Sequence, residues 1–118
     1  MPKPTLSDGF PLHYLIQGQH PPPHQPPVIL LHGLGSAAED WAMQIPVFAE
    51  HYRTIAIDAP GHGQSDKPVQ RYEIPKMAAQ ISAMLADLNC PPAHLVGLSM
   101  GGVLALQMAI ARPQQVRS

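Results

Sequence analysis

The pattern with the clearest chemistry in this sequence is Gly97-Leu98-Ser99-Met100-Gly101, which matches Gly-x-Ser-x-Gly. An apolar run typical of a strand precedes the pattern, and a run typical of a helix follows it. A serine at such a sharp turn needs small neighbours, because its backbone is strained and its flanks pack closely. The turn lifts the hydroxyl clear of the sheet and directs the helix N-terminus toward developing negative charge. The pattern therefore predicts that Ser99 is a nucleophile.

Two glycine-containing stretches earlier in the chain also follow apolar runs. His32-Gly33-Leu34-Gly35 comes directly after Val28–Leu31. Glycines let the backbone turn so that N–H groups point into a pocket, although an ordinary glycine-rich turn is the alternative. The second stretch, Asp-Ala-Pro-Gly-His-Gly-Gln-Ser-Asp, runs from Asp58 to Asp66. By itself it predicts only a loop rich in turns.

The elements that must position these residues alternate along the chain. Short apolar or β-branched runs predict four strands: Leu12–Gln17, Val28–Leu31, Thr54–Asp58 and His94–Val96. Helical patterns lie between or after the last three. This order predicts right-handed βαβ crossovers, and hence the α/β class, with a mostly parallel sheet and flanking helices.

The helices carry boundary signals of their own. We expect Ser36 to cap the first helix, with Glu39 completing a capping box and Pro46 bending or restarting the helix. Pro75 marks the start of the second helix. Its apolar stripe is Met77, Ile81, Leu85 and Leu88. The third helix, Met100–Arg112, is apolar nearly all round, which predicts a helix packed on several sides.

Taken together, the three motifs resemble the α/β-hydrolase fold family. His-Gly-x-Gly, then Asp-x-Pro-Gly-His-Gly-x-Ser-Asp, then Gly-x-Ser-Met-Gly-Gly stand in the family's order and at its distances, from about Asp8 to the end of the chain. The last motif is most similar to small esterases and lactonases, and carbon–carbon bond hydrolases share much of it. The resemblance implies that residues 1–118 are the N-terminal portion of a single α/β-hydrolase domain that cleaves a small ester or lactone.

The resemblance also implies a role for each matching residue. Ser99 would be the nucleophile, and the backbone N–H groups of Leu34 and Met100 would stabilise the oxyanion. The other matching positions would be structural and shape the loop beside the pocket: Asp58, Gly61, His62, Gly63 and Ser65. No cofactor and no metal is implied, because acyl transfer by a serine enzyme uses neither.

The partners of a catalytic serine are missing after Ser99. In the family an acid and then a histidine follow the nucleophile, whereas the 19 residues after Ser99 contain no Asp, Glu or His. We therefore expect this chain alone to be inactive or nearly so, and we expect the natural sequence to continue past Ser118. The strand ending near Val96 would then have an open apolar edge through which chains could associate.

The composition limits the classes of binding partner that we expect for this chain. A formal net charge of −1 with 13% charged residues gives no reason to expect nucleic acid or an anionic membrane. No run approaches the roughly 18 apolar residues of a membrane span, and the first residues lack the layout of a secretory signal. The single cysteine, Cys90, is expected to be a small buried residue rather than a reactive thiol. We expect a cytoplasmic protein whose partner is a small ester-like molecule.

Two other functions stay open at this stage. Gly33-x-Gly35-x-x-Ala38 also fits a dinucleotide-binding turn, with Asp58 at the next strand end as its ribose-binding acid. A hydrolase-like protein that binds without catalysis is the second alternative. The intact serine and glycine motifs argue against it.

Overall fold

A computed structural model describes residues 12–18, 26–60 and 73–118. Within these residues, four short strands form one sheet: β1 (Tyr14–Gln17), β2 (Val28–Leu31), β3 (Thr54–Ile57) and β4 (His94–Gly97). Their order is β1-β3-β2-β4. Strand β2 pairs in parallel with β3 and with β4, whereas β1 pairs antiparallel with β3. The predicted α/β class with a mostly parallel sheet is confirmed, and the N-terminal strand is the exception to the parallel direction.

Three α-helices flank the sheet in the described part of the chain. They are α1 (Ile45–Ala49), α2 (Ile74–Asp87) and α3 (Met100–Ala111). Proline stands in the first turn of both α1 and α2, where its missing N–H has no intrahelical partner to lose. None of these helices is long and apolar enough to cross a membrane.

The central strands are buried on both faces, as their continuous apolar runs predict. Successive side chains of β2 alternate between two clusters. Ile29 and Leu31 pack with α2 and α3, mainly with Met77, Ile81, Met84, Leu85, Leu104 and Met108. Val28 and Leu30 pack on the opposite face with Ala38, Ile45 and Ala56, bordered by Trp41 and Phe48. The sheet is therefore a rigid layer between helices, and its carboxyl edge carries the motifs.

The predicted capping box at Ser36 is wrong. A short 3₁₀ turn starts at Ala38, and its flanking residue Ala37 offers no side-chain hydrogen bond. The Ser36 hydroxyl donates instead to the Asp40 carboxylate. The N–H of Ala38 donates to Asp58 Oδ1 at 2.7 Å, so a residue 20 positions later supplies the cap. Local spacing did not reveal this, because the acceptor comes from another strand end.

The two long helices differ in how much of their apolar surface is covered. In α2 the predicted stripe is confirmed: Met77, Ile81 and Leu85 are buried and Leu88 packs against them. In α3 the prediction of packing on several sides is wrong for the described residues. That helix buries Gly101, Leu104 and Met108, while Val103, Leu106 and Ile110 remain exposed, because no described element lies against that side.

Strand β4 is the last strand of the sheet, as expected for the open edge. The last residues of the chain pair with the start of β4. Val116 forms a parallel bridge with Ala93, and the N–H of Leu95 donates to the Ser118 carbonyl at 2.9 Å. Among the residues that the structure describes, none pairs with the outer side of Gly97. The edge is thus closed at its start and open toward the carboxyl end.

Candidate active site

Ser99 lies at the sharp turn from β4 into α3 and is the residue that precedes the helix. Its backbone has φ 55° and ψ −115°, a region that residues other than glycine rarely adopt. Such a conformation costs on the order of 1–3 kcal/mol and persists only where surrounding contacts hold it. The side chain is exposed to solvent. This is the strained, exposed serine that the sequence motif predicts.

Glycines make the turn possible through close backbone approach. A Cβ at Gly101 would collide with the Leu31 carbonyl, and one at Gly97 would collide with the carbonyl of Gly101. The N–H of Leu98 donates to the Leu31 carbonyl at 3.1 Å, which ties the turn to the neighbouring strand. Helix α3 therefore starts directly against the end of β2, and Ser99 is held above the carboxyl edge of the sheet.

The loop after β2 passes beside the serine. A Cβ built on Gly33 would lie 3.6 Å from the Ser99 Cβ and 3.5 Å from the Leu98 carbonyl oxygen. Gly35 has φ +76°, and the Ser36 N–H closes the turn on the Gly33 carbonyl at 3.1 Å. The structure thus brings together the two motifs that the sequence places 66 positions apart, Gly33 and Ser99.

The two backbone donors expected at the oxyanion site lie on these adjoining segments. Leu34 is in the loop after β2, and Met100 is the first residue of α3. Neither N–H has a hydrogen-bond acceptor among the described residues. Both N–H groups are therefore available as donors on the two segments that meet near Ser99.

The imidazole of His32 is buried and fully engaged in fixing the loop. Its Nε2 accepts a hydrogen bond from the Ala59 N–H at 2.9 Å. The proton of the neutral ring then belongs on Nδ1, which donates to the Gly33 carbonyl at 2.7 Å. With both nitrogens occupied and 2% of the residue exposed, His32 is a structural residue and not a base for Ser99.

Asp58 lies one residue beyond β3 and is completely buried. Its Oδ2 contacts His13 Nδ1 at 2.7 Å, and its Oδ1 accepts from the Ala38 N–H at 2.7 Å. This pair was missed in the sequence, where His13 carries no motif and the partners are 45 positions apart. The one available signal was an acid directly after a buried apolar strand. Because the carboxylate is enclosed, it is not accessible to a nucleotide ribose.

The described residues give Ser99 no base. No described side chain forms a hydrogen bond with its hydroxyl, and no three described His, Cys, Asp or Glu side chains group as metal ligands. Four of the positions matched to the family loop, Gly61, His62, Gly63 and Ser65, lie outside the described residues. The site as described holds a serine, two free N–H donors and a fixed loop.

Comparison with known proteins points to one family. The sequence model of the alpha/beta hydrolase fold family matches residues 26–118. A succinate-derivative hydrolase from Acinetobacter baylyi, (E)-2-((N-methylformamido)methylene)succinate hydrolase, is 34% identical over 112 residues, which are 95% of this chain and 41% of that protein. The 3-oxoadipate enol-lactonase 2 of the same organism is 35% identical over 104 residues, covering 88% of this chain and 38% of that protein.

A solved structure gives the same picture. Est816, described as an N-acyl homoserine lactone degrading enzyme, superimposes with a TM-score of 0.85 at 34% identity, over 96% of this chain and 42% of its own. The chain spans between 24% and 41% of the length of the first curated relatives that it matches. The similarity therefore concerns only a part of each of those proteins.

Proposed function

The chain belongs to the alpha/beta hydrolase fold family, and we propose that it carries the nucleophile and oxyanion site of a serine hydrolase acting on small esters or lactones. The observation that carries this proposal is Ser99, an exposed serine with φ 55° at a glycine-packed turn between a strand and a helix. The family match and the enclosed Asp58 carboxylate both argue against the dinucleotide-binding alternative.

The chemistry is acyl transfer in two steps. The Ser99 oxygen bonds to the carbonyl carbon, the carbon–oxygen bond of the ester breaks, and the alcohol leaves with the proton from the serine. In a lactone the same step opens the ring. Water then attacks the acyl-serine, releasing the acid and restoring the hydroxyl. In each step negative charge develops on the carbonyl oxygen, where the N–H groups of Leu34 and Met100 stabilise it.

The segments that meet at Ser99 carry exposed leucine side chains. Leu34 is 77% exposed and Leu98 is 63% exposed, and both belong to the segments that meet at the serine. These side chains offer apolar surface to an acyl group or lactone ring. Relatives that degrade lactones, the enol-lactonase and Est816, support this substrate class. The mechanism needs no cofactor, and we expect a cytoplasmic location.

The rate of the reaction depends on a base that the described residues do not supply at Ser99. Without one a serine hydroxyl is a weak nucleophile, and only the oxyanion site contributes to catalysis. We therefore expect slow acylation of this chain by an activated ester, followed by slower deacylation. A histidine and an acid from further sequence would accelerate both steps.

The proposal is tested with p-nitrophenyl acetate and the 118-residue chain. We expect a slow release of one equivalent of p-nitrophenolate per chain, which Ser99→Ala abolishes. Ser36→Ala is the matched control, because it removes a hydroxyl in the loop after β2 while leaving Ser99 in place; it should retain the release. Equal release by Ser99→Ala and wild type would reject Ser99 as nucleophile and favour a protein that binds without catalysis.

A further inference from the structure

The loop between β2 and the first 3₁₀ turn is fixed at both of its ends by two consecutive residues after β3. At its start, His32 accepts the N–H of Ala59 at 2.9 Å. At its end, the N–H of Ala38 donates to the carboxylate of Asp58 at 2.7 Å. Leu34, the residue whose N–H faces no described acceptor, lies between these two attachment points.

The Asp58 carboxylate is itself held from a third direction. Its Oδ2 contacts His13 Nδ1 at 2.7 Å, and its own backbone N–H donates to the His13 carbonyl at 3.0 Å. Both residues are buried, with 0% and 3% of their surfaces exposed. A buried carboxylate costs free energy unless it is fully hydrogen-bonded, so this arrangement holds the carboxylate in one position. Hydrogen bonds to charged acceptors are also the stronger kind.

We propose that Asp58 is a positioning residue for the oxyanion site: through Ala38 it fixes the loop that places the Leu34 N–H beside Ser99. His13 orients the carboxylate for this task. The assignment rests on the proposed function, since the Leu34 N–H matters for catalysis only if Ser99 is acylated. The geometric part, that Asp58 fixes the conformation of residues 33–37, stands independently of activity.

The variants separate positioning from general stability. Asp58→Asn keeps an oxygen that can accept the Ala38 N–H, whereas Asp58→Leu is similar in size and has no acceptor. Thr54→Val is the matched control, because Thr54 is a buried residue of the same strand whose hydroxyl donates to the Tyr52 carbonyl at 3.2 Å, at the opposite end from the loop. If Asp58→Leu does not fold, Asp58→Ala makes the same comparison, because its smaller side chain also has no acceptor for the Ala38 N–H.

The first readout is the saturation kinetics of acylation by p-nitrophenyl acetate. Removing one oxyanion donor outright costs on the order of 10²–10³ in rate, so a displaced donor is expected to cost about 10- to 100-fold. We expect Asp58→Leu to lower the maximal acylation rate by that factor with little change in the half-saturating ester concentration. Asp58→Asn should recover most of the rate, and Thr54→Val should keep it. Equal losses in Asp58→Leu and Thr54→Val would overturn the proposal.

The second readout is the amide NMR spectrum and needs no activity. We expect the Leu34 and Ala38 amide resonances to shift in Asp58→Leu, and to stay near their wild-type positions in Asp58→Asn and Thr54→Val. Unchanged resonances in folded Asp58→Leu would overturn the proposal even if Ser99 is the nucleophile. Conversely, a wild-type chain that is not acylated but whose Leu34 resonance follows Asp58 would reject acylation of Ser99 in this chain and retain the geometric assignment.

Discussion

On one side of Ser99 the loop after β2 is fixed by buried hydrogen bonds, while the described residues leave the other side of the same serine open. The loop side has Asp58 and His32, each buried and each bonded to a backbone group of the loop or of the next strand end. On the open side, β4 is the last strand, and α3 exposes the stripe of Val103, Leu106 and Ile110. The fixed loop is thus the side of Ser99 on which we propose that the Leu34 N–H stabilises negative charge. If Ser99 is the nucleophile, we expect its base to lie on the open side.

Substitutions on the covered and the exposed sides of α3 should differ most in their effect on the free energy of unfolding. Leu104 is completely buried and Leu106 is 67% exposed. Leu104→Ala should lower the free energy of unfolding by about 3 kcal/mol, because it leaves a cavity between helix and sheet. Leu106→Ala should change it by less than about 0.5 kcal/mol. Urea denaturation of both variants checks this, and similar losses would mean that the outer side of α3 is covered.

The close approach of α3 to β2 predicts a second pair of variants. A Cβ at Gly101 would collide with the Leu31 carbonyl, whereas one at Gly102 would meet no described atom closer than 3.5 Å. Gly101→Ala should therefore cost about 3 kcal/mol, and Gly102→Ala should stabilise α3 by about 0.5–1 kcal/mol. Thermal unfolding compares the two. A stable Gly101→Ala variant would contradict the tight packing of the serine turn.

The backbone strain at Ser99 predicts that a glycine at this position makes the chain more stable and abolishes acylation. Glycine adopts φ 55° without strain, so Ser99→Gly should raise the free energy of unfolding by about 1 kcal/mol. Ser99→Ala keeps a Cβ and should not gain stability. Both variants lose the hydroxyl and should not be acylated. If thermal unfolding shows no gain for glycine over alanine, the turn is not strained.

The last prediction concerns the reactivity of the Cys90 thiol. Burial raises the pKa of its thiol to about 11, an effect that Arg53 partly opposes. Because the thiolate is the reactive form, alkylation by iodoacetamide at pH 7 should be far slower than for an exposed thiol and should rise steadily with pH up to about 11. Cys90 is partly buried rather than fully buried as expected, and a rate that levels off near pH 8.5 would mean that this burial does not raise the pKa of the thiol.

The comparison also shows which features the sequence could predict. The strands β2 and β3 and the serine turn were predictable, because a continuous apolar run or a glycine motif is a local signal with a local cause. The contact of Asp58 with His13 was not, since neither residue's neighbours indicate a partner 45 positions away. The capping of Ala38 was predicted wrongly for the same reason: a nearby serine fitted the local pattern, but a distant carboxylate is the acceptor.

Helix α3 shows a second limit of prediction from sequence: a helix can be predicted without its packing. Its composition correctly predicts a helix, yet composition cannot say which sides of that helix are covered. In the described residues the side with Leu104 and Met108 is covered, and the stripe on the other side is not. A sequence pattern therefore predicts how much apolar surface a helix has. Which part of that surface is buried depends on the elements that pack against the helix.

The most direct test of the nucleophile is to locate the covalent adduct of a fluorophosphonate probe on the folded chain by peptide mass spectrometry. We expect slow labelling at one position, on the peptide that contains Ser99, and no labelling of Ser99→Ala. Labelling of Ser36 or another serine, or equal labelling of Ser99→Ala, would contradict the account.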